Sequence, residues 1–255
     1  MRPEEGLFWL KRFFSAHTTI PFGWTIANYL STYYLEHICD EDGSKVRVQL
    51  PQRHLKFNAA ERIETKNLLA PLVEEEKVVE KIMRYEPDYF CDVGFHRGFY
   101  VELAAQVGAK VVGFEANPDN FEPANQRLGH QTNLHNKAVY DDTSLELGIR
   151  GCSGESKVTT EGDTVNTVQL DEFFSGQAKP TMIKIDVEGA EMHVLRGMKG
   201  ILEFEQPVIF LEIHKYCDGF DHTPEDAVEY LQSFGYRCQK LHSNRRDEIL
   251  EFRHD

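Results

Sequence analysis

Apolar residues in this chain change their spacing several times, and each change marks an element. From Tyr89 the sequence runs YFCDVGFHRGFYVELAAQVGAKVVGFEANP to Pro118. A short apolar run ends in Asp92, a turn carries Gly94 and Gly98, and Phe99, Leu103 and Val107 then recur at helical spacing. After Gly108 a second apolar run, Val111 to Phe114, closes on Glu115. The pattern predicts a strand, a turn, a helix and a second, parallel strand. Asn117 to Leu128 predicts the next helix and Leu134 to Val139 a third strand. Residues 143–170, with Gly148, Gly151, Gly154 and Gly162 among alternating Leu145, Leu147 and Ile149, predict an irregular β-rich insertion before a short helix, Asp171 to Ser175. Met182 to Ile185 predicts a buried strand ending at Asp186, followed by a helix from Ala190 to Leu202. Val208 to Ile213 is a fifth strand, Pro224 to Phe234 a helix, and Tyr236 to Leu241 with Ile249 to Phe252 a closing hairpin. Strands that alternate with helices predict an α/β doubly wound sheet, mostly parallel.

Ahead of this domain the pattern is different. Residues 7–38 are rich in aromatics at roughly helical spacing, broken by Pro21 and Gly23, and predict two helices. Lys45 to Leu50 alternates Val46, Val48 and Leu50 with polar residues, and Leu55 to Phe57 returns beside it as a small hairpin. Residues 60–85 predict a helix with Leu68, Leu72, Val79 and Ile82 on its apolar face and Glu74–Glu76 on a solvated one. The chain therefore divides into an N-terminal helical extension with a small hairpin, residues 1–85, and the α/β domain, residues 86–255. The aromatic helices admit three uses: packing on the core domain, a homo-oligomer contact, or an interfacial segment resting on a membrane with Lys11 and Arg12 outward.

Composition narrows the partners. At 255 residues the chain suits one large α/β domain plus an extension. Lys and Arg number 28 against 42 Asp and Glu, a formal charge of −14, so the chain has no general attraction to nucleic-acid phosphates. Its five cysteines are scattered, with no Cys-x-x-Cys pair, which argues against a zinc site or a disulfide framework and for a reducing cytoplasm. No run of 18 apolar residues and no cleavable leader pattern is visible, so a transmembrane segment is not expected.

The βαβ opening is the unit that binds nucleotide-like cofactors at the carboxyl ends of its strands. Here Gly94-x-x-x-Gly98 replaces the dinucleotide spacing Gly-x-Gly-x-x-Gly, and His96 holds the middle position. That leaves little room for a pyrophosphate and favours a nucleoside without phosphate, such as S-adenosylmethionine. An acid ending the second strand, Glu115, can accept hydrogen bonds from two ribose hydroxyls. A nicotinamide oxidoreductase and a non-catalytic nucleoside-binding module remain the alternatives on pattern alone. A second run, IKIDVEGAE at 183–191, places Lys184 and Asp186 on one side of a strand end, with Glu188 in the turn after it. Ionisable groups at a strand mouth are costly unless paired or used.

Taken together, DVGFHRGFY (92–100), FEANP (114–118), NKAV (136–139), VNTVQLDEF (165–173), IKIDVEGAEMHVLRG (183–197) and FLEIH (210–214) resemble the FkbM-type family of S-adenosylmethionine-dependent methyltransferases. The resemblance covers roughly half the chain, from about Phe90 to His214. One departure stands out: the family usually has Ala-Asn after the first glycine, where this chain has Phe95 and His96. The resemblance implies a class I methyltransferase (Rossmann-like) fold with an antiparallel last strand. It also implies O-methylation of a sugar or glycan, at a hydroxyl or a uronic-acid carboxylate, or of a natural-product hydroxyl, the acceptor being free or lipid-linked. Carried onto this chain, Asp92 holds the cofactor's amino-acid end, directly or through water, and Gly94, His96 and Gly98 line its turn, with Asp186 beside them. Glu115, Ala116 and Asn117 meet its ribose, and Asn136 and Ala138 flank its adenine. For the chemistry, His214 is the candidate base because an imidazole titrates near pH ~6.5, and Glu212, Asp186 and Lys184 stand with it. A divalent metal is not expected; the alternative metal set is Asp186, Glu188, Glu212 and His214.

Overall fold

A computed structural model describes residues 45–50, 53–58, 71, 75–150, 157–159, 163–214, 222–243 and 246–254. The chain divides into two compact units, Met1–Lys66 and Asn67–Asp255. In the first unit, β1 (Lys45–Leu50) and β2 (Arg53–Asn58) form the expected antiparallel hairpin, paired from Lys45 with Asn58 to Leu50 with Arg53. The aromatic segment 7–38 and most of the helix expected over 60–74 lie outside the described residues.

The second unit opens with α1 (Glu76–Tyr85), so this helix belongs to the unit that carries the large sheet. Next come β3 (Tyr89–Val93), α2 (Phe99–Gln106), β4 (Lys110–Glu115), α3 (Pro118–Leu128) and β5 (Asn133–Asn136). After them lie β6 (Ala138–Val139), β7 (Glu146–Arg150), β8 (Lys157–Thr159), β9 (Asp163–Val168) and α4 (Leu170–Phe173). The closing part holds β10 (Met182–Ile185), α5 (Glu191–Arg196), α6 (Lys199–Phe204), β11 (Val208–His214), α7 (Pro224–Ser233), β12 (Arg237–Ser243) and β13 (Asp247–Arg253).

The large sheet runs β12-β13-β11-β10-β3-β4-β5. Pairs among β11, β10, β3, β4 and β5 are parallel, while β13 enters antiparallel between β11 and β12. This is the mostly parallel, doubly wound order with a reversed last strand that the alternation and the resemblance imply: a class I methyltransferase fold. Every residue of β3 and β10 is buried, as expected for central strands covered by helices on both faces. Phe90, Phe210, Met182 and Phe252 fill the core without exposure to solvent beyond 2 %.

Two expected elements are broken. The third strand was expected to run from Leu134 to Val139, but β5 ends at Asn136 and β6 joins another sheet, β6-β9-β7-β8, beside β9. That smaller sheet is the expected β-rich insertion. The helix expected over Ala190 to Leu202 stops at Gly197, where an added Cβ would stand 2.5 Å from the Tyr140 carbonyl oxygen. A new helix, α6, starts two residues later with its first N–H groups capped from a distance. The Asp171 carboxylate accepts from Gly200 N at 2.7 Å and from Ile201 N at 2.9 Å.

Candidate active site

Strand order reverses about β3, the strands themselves staying parallel: β4 lies on one side of it and β10 on the other. Ligands of open α/β sheets bind in the crevice above such a point, at the carboxyl ends of the strands. Here those ends carry Asp92, Glu115, Asp186 and Glu212.

The turn after β3 is held by the backbone. Gly94 N donates to Phe114 O at 2.8 Å, and Asp186 N donates to Val93 O at 2.9 Å. Gly94 has φ +81°, and a Cβ there would lie 1.8 Å from the Asp186 carbonyl oxygen. No side chain can be accommodated, which is the physical reason for a glycine at this position. His96, at φ 51°, turns its backbone N–H onto Glu115 Oε2 at 2.8 Å. Gly98, at φ 80°, ends the turn as the N-cap of α2.

Asp92 is 1 % exposed, and neither carboxylate oxygen has a hydrogen-bond partner among the described residues. Burial raises its pKa to about 7, against the pull of Lys184, and Asp186, Glu115 and Glu75 add to the rise. Its side chain lines a cavity of about 430 Å³, counting the mouth, together with Glu75, His96, Arg97, Tyr100 and Lys184.

Glu115 is the second buried acid. Its Oε1 accepts from Asn117 N at 2.8 Å and its Oε2 from His96 N, and burial raises its pKa to about 7 against those two backbone bonds. The Asn120 side chain bonds the same carboxylate, and these three bonds leave part of its roughly four acceptor sites open. Asn117 is also the N-cap of α3, accepting from Asp119 N at 2.9 Å. Asn136 donates through Nδ2 to the carbonyls of Glu115 at 2.8 Å and Ala116 at 3.1 Å, so it splints the backbone at the strand mouth. Ala138 is buried in β6 against Ile149 and Val165, with Ala116 packed on that cluster.

The third group surrounds Lys184, which is 3 % exposed. Its Nζ lies 2.9 Å from Asp186 Oδ2, 3.7 Å from Glu212 Oε2 and 5.0 Å from the Tyr100 ring centre. Burial works against its charge, but Asp186, Glu75, Glu212 and Asp92 outweigh burial and raise its pKa. Burial also works to raise Asp186, yet Lys184 and His214 hold it below the usual carboxylate range. Glu212 goes the other way, pushed well up by burial and by Asp186.

His214, at the end of β11, is surrounded by three carboxylates. Its Nδ1 lies 2.8 Å from Glu191 Oε1, and its Nε2 lies 3.4 Å from Glu188 Oε2 and 3.7 Å from Asp186 Oδ1. Burial disfavours its charge, but the Glu191 bond and the charges of Asp186 and Glu188 prevail and raise its pKa to about 10. This setting favours the charged imidazolium, which weighs against the base role expected from sequence. Glu188 sits in the turn after β10 at φ 52°, a left-handed conformation rare outside glycine. Burial raises it to about 7, with His214 opposing. Ligand atoms of Asp186, Glu212 and His214 lie within 4.8 Å of one another, so three members of the alternative metal set do converge. In this arrangement Lys184 and the imidazolium supply the positive charge between them.

Sequence reasoning missed three participants. Glu75 was assigned with its neighbours to a solvated helix face, yet it lines the cavity and accepts from Tyr100 Oη at 2.7 Å. Tyr100 and Glu191 stood in the sequence only as members of motif runs. Glu191 also accepts from Gly189 N at 3.0 Å, which ties the strained turn to His214. His193 is half-buried, stacked on Tyr140 at 3.9 Å and bonded to Asp141 at 2.9 Å. Among the described residues, no helix is long and apolar enough to cross a membrane.

Comparison with known proteins follows the same outline. The family profile described as Methyltransferase FkbM domain matches residues 92–238. The chain is 31 % identical over 174 residues to the hexuronic acid methyltransferase AglP of Haloferax volcanii, a match covering 65 % of this chain and 70 % of that protein. Among solved structures, a methyltransferase FkbM from Methylobacillus flagellatus KT aligns at 19 % identity and a TM-score of 0.49. That alignment takes in 66 % of this chain and 44 % of the other, so the chain spans less than half the length of that protein. The magnesium protoporphyrin IX methyltransferase of Synechocystis PCC 6803, with bound SAM, aligns at 12 % identity and a TM-score of 0.44 over 94 % of this chain and 100 % of that one.

Proposed function

We propose, from the premise that this chain belongs to the FkbM methyltransferase family, that it moves a methyl group from S-adenosylmethionine to a carboxylate oxygen of a hexuronic acid unit in a glycan. Membership in a methyltransferase family sets aside the nicotinamide oxidoreductase that the βαβ opening alone left open. The residues present fit such a donor. Asp92 offers two buried acceptor oxygens to a cavity, and Glu115 keeps lone pairs at the mouth of β4, where ribose hydroxyls can donate. Bound there, S-adenosylmethionine would supply a methyl group already activated on a sulfonium.

The chain's own contribution is alignment. Gly94 and the Glu115–Asn117 bonds fix the floor of the site, and holding two reactants in line can lower a barrier by about 7–11 kcal/mol in well-oriented systems. The acceptor would lie on the side of Asp186, Glu188 and His214, where Lys184 and His214 provide positive charge. The observation that carries the choice of acceptor is the 2.8 Å contact between His214 Nδ1 and Glu191, which together with Asp186 and Glu188 favours a charged histidine. A hydroxyl must give up a proton on attack, and a charged histidine does not take one. A carboxylate arrives as an anion: its oxygen forms the new bond to the methyl carbon and the carbon–sulfur electron pair leaves with sulfur, giving a methyl ester. The Haloferax volcanii relative, a hexuronic acid methyltransferase, supports the same substrate class.

One observation favours a second reading. Glu188, raised to about 7, is a competent base at neutral pH and would serve a sugar hydroxyl. The two products differ in chemistry. Purified protein with S-adenosylmethionine and a glucuronic-acid oligosaccharide is expected to give a methylated product by mass spectrometry, and mild alkali is expected to reverse it. An alkali-stable product would replace the ester with an ether and move the base role to Glu188; no transfer to any uronic-acid or neutral oligosaccharide would overturn the acceptor class.

A further inference from the structure

The cavity beside Asp92 holds more negative charge than its own cations use. Glu75, Asp92 and Asp186 face it, against Arg97 and Lys184. Lys184 is committed to Asp186 at 2.9 Å and lies 3.7 Å from Glu212. Asp92 is left with two buried oxygens that accept from no donor among the described residues. Glu75 reaches the same cavity from the residue before α1, and its Oε2 is fixed by the Tyr100 hydroxyl at 2.7 Å. Tyr100 is itself buried, with its ring 5.0 Å from the Lys184 ammonium, so the Glu75 carboxylate is positioned rather than free to swing into solvent. Buried carboxylates without donors are costly, and a ligand that brings N–H donors and positive charge removes that cost.

We propose that Glu75, positioned by Tyr100, adds a second arm to the role the resemblance implies for Asp92, making an anionic cradle for the ammonium group of the methyl donor's amino-acid end. The inference rests on the donor assigned above and deepens it. Glu75 lies outside residues 92–238, the stretch matched by the family profile, so the cradle's second arm comes from the segment that precedes the matched domain. Burial raises the pKa of Glu75, with Lys184 and the Tyr100 bond opposing, and burial raises Asp92 as well. Both shifts are what two acids show when each lacks enough positive charge nearby.

Titration calorimetry on the full chain tests this with two ligands, S-adenosylhomocysteine and 5′-methylthioadenosine. They share the nucleoside and the thioether, and the second lacks the amino-acid end. Wild type is expected to bind the first more tightly. Glu75→Gln is expected to weaken S-adenosylhomocysteine roughly tenfold while leaving methylthioadenosine unchanged, since loss of one charge-assisted contact is worth about a factor of ten. Tyr100→Phe, which keeps the ring and removes only the hydroxyl, is expected to shift the first affinity in the same direction by a smaller factor. Equal weakening of both ligands, or no change in either, would overturn the cradle and leave the donor assignment standing. Failure of wild type to bind either ligand would remove both.

Discussion

His214 Nδ1 stands 2.8 Å from Glu191 Oε1, and this contact decides the charge of the site. With its pKa raised from an ordinary value near ~6.5 to about 10, His214 binds its proton more tightly folded than unfolded. The stability it adds is therefore complete below about pH 6.5 and is lost as pH rises through about 10. Wild type is expected to melt above His214→Gln by a margin that shrinks across that window. Melting curves at several pH values check it, and a margin independent of pH would contradict the imidazolium.

Asp92 shifts stability with pH in the same direction, but through an uncompensated negative charge. A carboxyl raised to about 7 from roughly 4 when unfolded destabilises the fold once pH exceeds the unfolded value, with the full effect reached above about pH 7. Asp92→Asn should leave stability near pH 4 unchanged and raise it at pH 8 by on the order of 1–3 kcal/mol, while weakening S-adenosylhomocysteine at least about tenfold. Denaturant melts at the two pH values, with calorimetry at pH 8, separate the two effects. A variant less stable than wild type at pH 8 would mean that the carboxylate has a structural partner.

Gly94 and Gly108 make a matched pair. Both have positive φ, +81° and +97°, but an added Cβ meets the Asp186 carbonyl at 1.8 Å in the first and nothing within 4 Å in the second. Gly108→Ala should cost about 1–2 kcal/mol, the cost of a left-handed L-residue. Gly94→Ala should cost at least about 4 kcal/mol or prevent folding, because β3 and β10 must separate to admit the methyl. Urea unfolding of both variants gives the comparison, and equal costs would show that the turn can move.

Glu251 has no exposed surface, and it accepts from Lys81 Nζ at 2.7 Å and from Tyr85 Oη at 2.6 Å. Removing the cation strands a buried carboxylate, so Lys81→Met is expected to destabilise by about 3–5 kcal/mol. Lys81→Met combined with Glu251→Gln should recover part of that loss. A double variant no better than the single would show that the packing of α1, not the charge, carries the effect.

Much of this fold is legible in the chain because its central strands are short apolar runs closed by an acid. Tyr89 to Asp92, Val111 to Glu115 and Met182 to Asp186 give both the strands and the mouths that carry Asp92, Glu115 and Asp186. Local spacing could not show what distant segments do to one another. Nothing near Gly197 announces the Tyr140 carbonyl that stops a helix there, and nothing near Gly200 announces the Asp171 cap. Glu75 looks like its neighbours in an acidic run, and only the approach of Tyr100 and Lys184 separates it from them. His214 was legible as a site residue but not in its charge state, which depends on three carboxylates 23, 26 and 28 positions earlier in the chain.

Helix α1 is tethered at both ends to different places. Glu75, the residue before it, reaches the cavity, while Lys81 and Tyr85, further along, grip Glu251 in the reversed strand β13. A short helix fixed in this way behaves as a strut. Occupancy of the cavity would stiffen the far margin of the sheet, slowing amide hydrogen exchange along β13 at a distance from any ligand atom.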